Sequence, residues 1–581
     1  MKASLLKNRN FILLSLFVLA LTIKLLIFFF ATDPIIFSKY PYFAIRLAQG
    51  LDIGERMVDL SPAYLFIHLV FYKIFGADWE MLAVLQIIIG SLNCLIIYAI
   101  GEKLFHRGIG LFAAILLLLY GNLTLIELTL EPETFVLFFN SLTVLALISA
   151  KSDSLSKQGI LLCFLAGLLL GLSVITKPNA LMIIPGALIW IWTGNSGKPK
   201  KTIASLSVVL GMMLWVGPVT VRNYIHFNDL IVVTADGGKV FFHGNGPGAT
   251  GMGRADLALQ GFIEEGEPEP DFAHVLFRNT ARELSKRPLK PSECSRFWFD
   301  ITLKHMAENP SQAFRLGLKK FLFFWGNYEV HDIDSTYKNY VTIQSWPLIP
   351  FGLISALGFL GMGIAAKKIR DLFLLYWMVL IYLVSILVFF AASRYRLPAT
   401  PFLCLFAAYA LQNMFLLIRD GNWKRFGAYL GIALTFYAGT NLPLKDEIKR
   451  FDQWQRTTRI HYSLGGVMLF QKGQYREAIR EFQKTLELQP GFVPAYNYLG
   501  KSYAILNDYK TAEEAFQKVI QLAPQIDAGY LNMGILHELK GDPSKALFFL
   551  QKALMLNPRS EKAKKHLEAV ISVTEQCQSE P

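Results

Sequence analysis

Long apolar stretches separated by short polar loops run from Asn10 to about Leu442, and from about Lys445 the pattern changes to amphipathic segments at a fixed step. A helix needs roughly 20 apolar residues to cross a bilayer. Asn10–Ala31 supplies them, with Lys24 as its single charged interruption. That stretch is too long for the apolar core of a signal peptide and no small-residue cleavage motif follows, so it reads as a retained first helix. Further spans are predicted at 79–101, 108–122, 133–150, 159–175, 178–194, 203–218, 346–365, 371–391, 398–418 and 425–441. The pattern therefore predicts an all-α polytopic membrane protein with about 11 transmembrane helices, followed by a soluble α-solenoid.

The tail carries the sharpest periodicity. Pro490, Pro524 and Pro558 are 34 residues apart, as are Gly466, Gly500 and Gly534, and Ala478, Ala512 and Ala546. Phe482, Phe516 and Leu550 keep the same step. This resembles the tetratricopeptide repeat, whose small residues let paired helices pack closely and whose proline ends the second helix. Three repeats cover about 459–560, and a groove of such helix pairs implies a protein partner, a rigid spacer or self-association. Ahead of them the chain divides into an N-terminal membrane module (1–218) with its first outside loop at 32–78, a long outside region (219–345), and further membrane helices (346–442).

Charge sets the expected orientation. Basic residues favour the cytoplasmic side of short loops. Lys2, Lys7 and Arg9 precede the first span, and Lys103 and Arg107 follow the second. Lys198, Lys200 and Lys201, then Lys367, Lys368 and Arg370, then Arg419, Lys424 and Arg425 mark later loops. All fall on one side if the N-terminus is cytoplasmic and the span count odd, which puts the repeats outside the cytoplasm. The net charge of +13 is then topological and calls for no nucleic acid. With 53% hydrophobic and 17% charged residues, the chain is neither an ordinary soluble protein nor disordered. Cys94, Cys163 and Cys404 fall in spans, Cys294 and Cys577 are far apart, and neither CxxC nor HExxH occurs. No cofactor or metal site is indicated, and a divalent-metal requirement stays open.

The first outside loop is acidic and aromatic: Asp33, Asp52, Glu55 and Asp59 stand beside Tyr40, Tyr42 and Tyr64. An outside carboxylate can take the proton of an attacking hydroxyl. Asp33 is the first charge past span one; Asp59 precedes Ser61–Pro62–Ala63–Tyr64 and an apolar stretch, Leu65–Phe75, too short to span and suited to the interface. Glu127, Glu131 and Glu133 lie at the outer ends of spans three and four, where ionisable residues are usually functional or paired. Lys177, Arg222, Arg394 and Arg396 sit outside against the positive-inside bias, and together they suit a lipid phosphate, which arginine clasps through paired hydrogen bonds. Gly244–Asn245–Gly246–Pro247–Gly248 lacks a following GKS or GKT and reads as a turn.

In this order the motifs resemble the GT-C class of polyprenyl-phosphate-sugar glycosyltransferases, with protein O-mannosyltransferases and the bacterial aminoarabinose transferases as the nearest relatives. The resemblance covers roughly 10–440 and rests on Tyr40, Ala44 and Gly50, Ser61–Tyr64, Lys177–Ala180, Pro218 with Arg222–Tyr224, Gly244–Pro247, Trp325–Glu329 and Arg394–Pro398. It implies an inverting transfer from a polyprenyl-phosphate-linked sugar to a protein, lipid or glycan acceptor on the extracytoplasmic face of a bacterial cell membrane. The first-loop acid would act on the acceptor, and Lys177, Arg222, Arg394 and Arg396, with Glu131 and Tyr40, would hold the sugar phosphate. The family often places an Asp four residues before the loop tyrosine; here that position is Ile36, and Asp33 lies seven before Tyr40. Asp33 carries the role, or Asp59 takes it over, or the chain is catalytically impaired.

Overall fold

A computed structural model describes residues 9–31, 39–150, 156–194, 196–252, 272–330, 348–441, 461–462, 465–524, 526–557 and 560–579. Asp33, Ile36, Cys577's far neighbours at the C-terminus and Pro558 lie outside that set. The chain forms two compact units, 1–255 with 277–444, and 256–276 with 445–581.

The first unit is helical. It comprises α1 (Arg9–Ala31), α2 (Lys39–Ala48), α3 (Pro62–Phe75), α4 (Trp79–Leu104), α5 (Arg107–Leu118), α6 (Gly121–Leu128), α7 (Glu133–Ala150), α8 (Lys157–Thr176), α9 (Ile183–Trp192) and α10 (Lys198–Phe227). It continues with α11 (Gly237–Asn245), α12 (Phe272–Ser285, from Phe277 onward in this unit), α13 (Pro291–Glu308), α14 (Pro310–Trp325), α15 (Phe351–Ala365), α16 (Phe373–Val388), α17 (Ser393–Arg396), α18 (Thr400–Arg419) and α19 (Trp423–Asn441). Among the described residues the extended backbone pairs only as an isolated bridge between Met252 and Ala391.

Every predicted span coincides with helix, but they do not all have the length and apolarity to cross a membrane. Among the described residues seven helices do, or eight if α5 and α6, bent by 58° at their junction, are one span. The predicted spans at 178–194 and 371–391 become shorter apolar helices, Pro178–Trp192 and Phe373–Val388, and α19 is not among the seven. The predicted interfacial stretch is α3, which leaves Phe66 and Ile74 about two-thirds exposed (64% and 67%).

The membrane helices interlock by close backbone approach and by buried polar pairs. A Cβ on Gly167 of α8 would stand 2.2 Å from the Val208 carbonyl of α10, and one on Gly211 would stand 2.4 Å from the Phe164 carbonyl. Small residues of this kind let two apolar helices meet where lipid offers no hydrophobic drive. Asn140 of α7 donates to the Tyr382 hydroxyl of α16 (2.5 Å) and accepts from Ser173 of α8 (2.7 Å), so one amide joins three helices.

The second unit holds α20 (Met468–Gln471), α21 (Tyr475–Leu488), α22 (Val493–Ile505), α23 (Tyr509–Leu522), α24 (Asp527–Leu539), α25 (Pro543–Leu556) and α26 (Glu561–Ser579). Its sequence period has a direct steric cause. A Cβ on Gly466 would lie 2.2 Å from the Phe482 ring, on Gly500 2.4 Å from Phe516, and on Gly534 2.6 Å from Leu550. Ala478, Ala512 and Ala546 are fully buried at the matching helix contact.

Candidate active site

The ends of several membrane helices bring four charges together beside one tyrosine. The chain leaves α6 at Leu128, turns through Thr129–Pro132 and enters α7 at Glu133, so Glu131 and Glu133 fall on a tight bend. The Glu131 amide donates to the Thr129 carbonyl (2.7 Å), which holds that bend closed. Lys177 ends α8, and Arg394 and Tyr395 lie on α17.

Arg394 Nη1 stands 3.0 Å from Glu131 Oε2 and 3.7 Å from Glu133 Oε1, and its Nη2 donates to the Tyr395 hydroxyl (3.2 Å). Lys177 pairs with Glu133 Oε1, and its ammonium lies 4.4 Å from the centre of the Tyr395 ring. The Arg394 guanidinium lies 4.9 Å from the same ring. Both cations thus meet the same aromatic ring as well as the acids. Burial pushes the Glu131 carboxyl up to about 7, against the opposing pull of Arg394, while the Glu133 charge adds to the rise. Burial likewise lowers the Lys177 ammonium, which Glu133 offsets. Glu133 Oε2 is buried and has no hydrogen-bond partner among the described residues.

Tyr40 and Tyr64 of the first loop adjoin this cluster, and the fields of Glu131 and Glu133 reach both phenols. Their rings meet edge-on at 4.8 Å, and the Tyr40 hydroxyl accepts from the Ser61 amide (3.3 Å). Burial, more than any neighbouring charge, drives the Tyr40 phenol well above its ordinary range.

The other predicted residues lie in different surroundings. Asp59 is buried and pairs with Arg278 of α12, whose Nη1 also donates to the Glu55 carbonyl (3.1 Å). Arg282 bonds Glu55 Oε1 at 2.6 Å, so two arginines of α12 clasp the 55–59 stretch of the first loop. Arg396 points away from Arg394. It is buried, pairs with Glu329 at 2.8 Å, donates to the carbonyls of Phe323 and Gly326 (3.1 and 2.8 Å), and covers the Phe351 ring at 3.6 Å. Arg222 is half-buried inside α10 and bonds Asn223 Oδ1 through Nε and Nη2 (3.2 and 2.7 Å). Among the described residues, no three His, Cys, Asp or Glu side chains gather as a metal site would require.

Glu133 was singled out in the sequence with Glu127 and Glu131 but given no ligand, and Tyr395 was visible only as a neighbour of Arg394. The clasp by Arg278 and Arg282 had no local signal.

Residues 59–221 match the sequence model of the dolichyl-phosphate-mannose-protein mannosyltransferase family, and 493–526 and 528–560 each match a tetratricopeptide repeat. The chain is a membrane protein with tetratricopeptide repeats at its C-terminal end, and its membrane part resembles the GT-C class. No curated protein sequence matches it. Among solved structures it is similar to the Archaeoglobus fulgidus oligosaccharyltransferase in its apo form, with 14% identity, a TM-score of 0.44, and 78% of this chain and 58% of that one covered. The archaeal oligosaccharyltransferase AglB from the same organism, in complex with an inhibitory peptide and a dolichol-phosphate, gives 13% identity and a TM-score of 0.43, with the same 78% and 58% covered. The chain thus spans a little over half the length of those structures.

Proposed function

We propose that this chain is a membrane glycosyltransferase that moves a sugar from a polyprenyl-phosphate donor to an acceptor on the extracytoplasmic face. The observation that carries the proposal is the cluster of Glu131, Glu133, Lys177 and Arg394 around Tyr395. Its two cations suit the phosphate of a lipid-linked sugar, and the two acids pair with them. The family match over 59–221 includes the first cation and both acids.

In the reaction we assign, an acceptor hydroxyl attacks the anomeric carbon, the bond from that carbon to the phosphate oxygen breaks, and polyprenyl phosphate leaves. Configuration inverts. The acceptor proton passes to a carboxylate, for which Asp33 is our assignment, and Lys177 and Arg394 hold the charge that grows on the departing phosphate. Asp59, clasped by Arg278, holds the loop in place. The unpartnered Glu133 Oε2 favours a substrate hydroxyl as its hydrogen-bond donor, since a buried carboxylate oxygen is costly to leave unsatisfied. The repeats would recruit a protein acceptor or partner. We assign the chain to a bacterial cell membrane with a cytoplasmic N-terminus.

A surface-glycan polymerase or ligase would use the same cluster. A non-catalytic scaffold is the second reading, favoured by Ile36 at the position where the resemblance expects an Asp. The test is a transfer assay with membranes, radiolabelled polyprenyl-phosphate sugars and trapped acceptors. Label appearing on an acceptor and lost in Arg394→Ala supports the enzyme; no transfer from any donor leaves the scaffold.

A further inference from the structure

Away from the rim, α1 and α6 share a charged pair that is sealed from solvent. Lys24 Nζ lies 2.6 Å from Glu127 Oε1 and 2.5 Å from Oε2, and both side chains are 0% exposed. An apolar pair of equal volume would serve stability as well or better, so a buried ion pair at this depth calls for another reason. The carboxylate has its space because α4 carries glycine opposite: a Cβ on Gly90 would stand 2.1 Å from Glu127 Oε1.

The same short segment is held by its backbone. Gln86 of α4 donates from Nε2 to the carbonyls of Glu127 and Thr129, both at 2.8 Å, and its Oε1 accepts from the Tyr64 hydroxyl (2.8 Å). The Glu131 amide hangs from that Thr129 carbonyl. Ile27 and Phe28 of α1 pack with Ala83 and Ile87 of α4 and with Leu125 and Leu128 of α6, and apolar contacts of this kind carry no direction. The Lys24 ammonium adds a directional contact between α1 and Glu127, at the end of α6 that leads into the bend carrying the acids.

We infer that the Lys24–Glu127 pair, with Gly90 and Gln86, is a positioning device that fixes where the Glu131 carboxylate meets Arg394. The inference rests on the reading of the rim cluster as the donor site. The charged groups acting on Glu131 are Arg394 from α17, Glu133 from α7, Lys39 from α2 and Lys177 at the end of α8, with the Tyr40 and Tyr64 phenols beside them. The pair reaches Glu131 through the backbone, by setting the bend.

The test uses the full chain in lipid nanodiscs. The protonation midpoint of Glu131 is followed by its infrared carboxyl band, assigned by its loss in Glu131→Gln. In Lys24→Met/Glu127→Met the midpoint should move by about one unit or more, and transfer kcat should fall about tenfold while the donor KM stays within about twofold. Lys24→Arg, which keeps the charge, should leave the midpoint in place. Should the double variant fail to assemble, Gly90→Ala displaces the same carboxylate with both charges retained and carries the same test. A midpoint unmoved in whichever of the double variant and Gly90→Ala assembles overturns the positioning role, whatever the transfer assay shows. A moved midpoint in a protein that transfers no sugar supports the positioning role and removes the proposed function.

Discussion

Arg394→Ala tests the donor site most directly. The guanidinium lies 3.0 Å from Glu131 and 3.7 Å from Glu133, with its side chain 18% exposed, so solvent screens it only partly. A hydrogen bond to a charged group is worth about 1.5–3 kcal/mol, and each 1.4 kcal/mol is tenfold in affinity. Losing one phosphate contact of this kind should weaken donor binding roughly 10- to 150-fold. Charge balance pushes the same way. With Arg394 gone, the cluster loses its closest cation to Glu131, and the less compensated acids repel a phosphate. Arg394→Lys keeps the charge but not the paired donors, so it should fall between the two. The assay is equilibrium binding of a radiolabelled polyprenyl-phosphate sugar to protein in nanodiscs, with size exclusion to check assembly. Unchanged donor affinity in an assembled Arg394→Ala protein would refute the assignment of this arginine to the phosphate.

Glu131 should make stability depend on pH. Its carboxyl titrates near 7 when folded against an ordinary 4.5, so between those values the folded chain holds a proton that the unfolded chain has released. Stability should therefore fall as pH rises from 4.5 to about 7 and level off above, and Glu131→Gln should flatten that slope in detergent melts. Arg396→Met breaks the buried pair with Glu329 and should cost about 3 kcal/mol or more in unfolding; a melt close to that of the unmutated protein would contradict the structural role. Asp33→Asn should abolish transfer at normal expression, whereas Asp52→Asn should be tolerated, because Asp52 merely accepts from the Gly54 amide (2.9 Å) in an exposed turn. Gly500→Ala drives a methyl to within 2.4 Å of the Phe516 ring and should destabilise its repeat by about 1–3 kcal/mol, read as faster proteolysis of the tail.

The repeats were legible because their period records a local contact: the glycine and the ring it admits lie 16 residues apart, as in Gly500 and Phe516. The membrane segments were legible as helices, and seven of the predicted spans fall on described helices long and apolar enough to cross, while the exact count was not legible. An apolar window does not distinguish a helix that traverses the bilayer from a short one such as Phe373–Val388. At the site, Lys177, Arg394 and Glu131 were readable as charges at helix ends, since each stands out against apolar neighbours. Which charges meet was not. Arg394 and Arg396 are two residues apart in one short helix, yet one joins the rim cluster and the other turns into the carbonyls behind it. Arg278 and Asp59 are 219 residues apart, and only the folded chain brings them together.

The glycine notches of the second unit bear on how the tail can change length. Each notch seats a side chain from the next helix of its own repeat, so each helical hairpin is closed before a neighbour stacks on it. Stability in such arrays is a sum of hairpin and nearest-neighbour contributions. A duplication or excision of one whole period would leave every remaining ring in its seat, whereas a change of a few residues would unseat one. The tail can thus be lengthened or trimmed in discrete steps, and its reach is set by copy number rather than by redesign of any single hairpin.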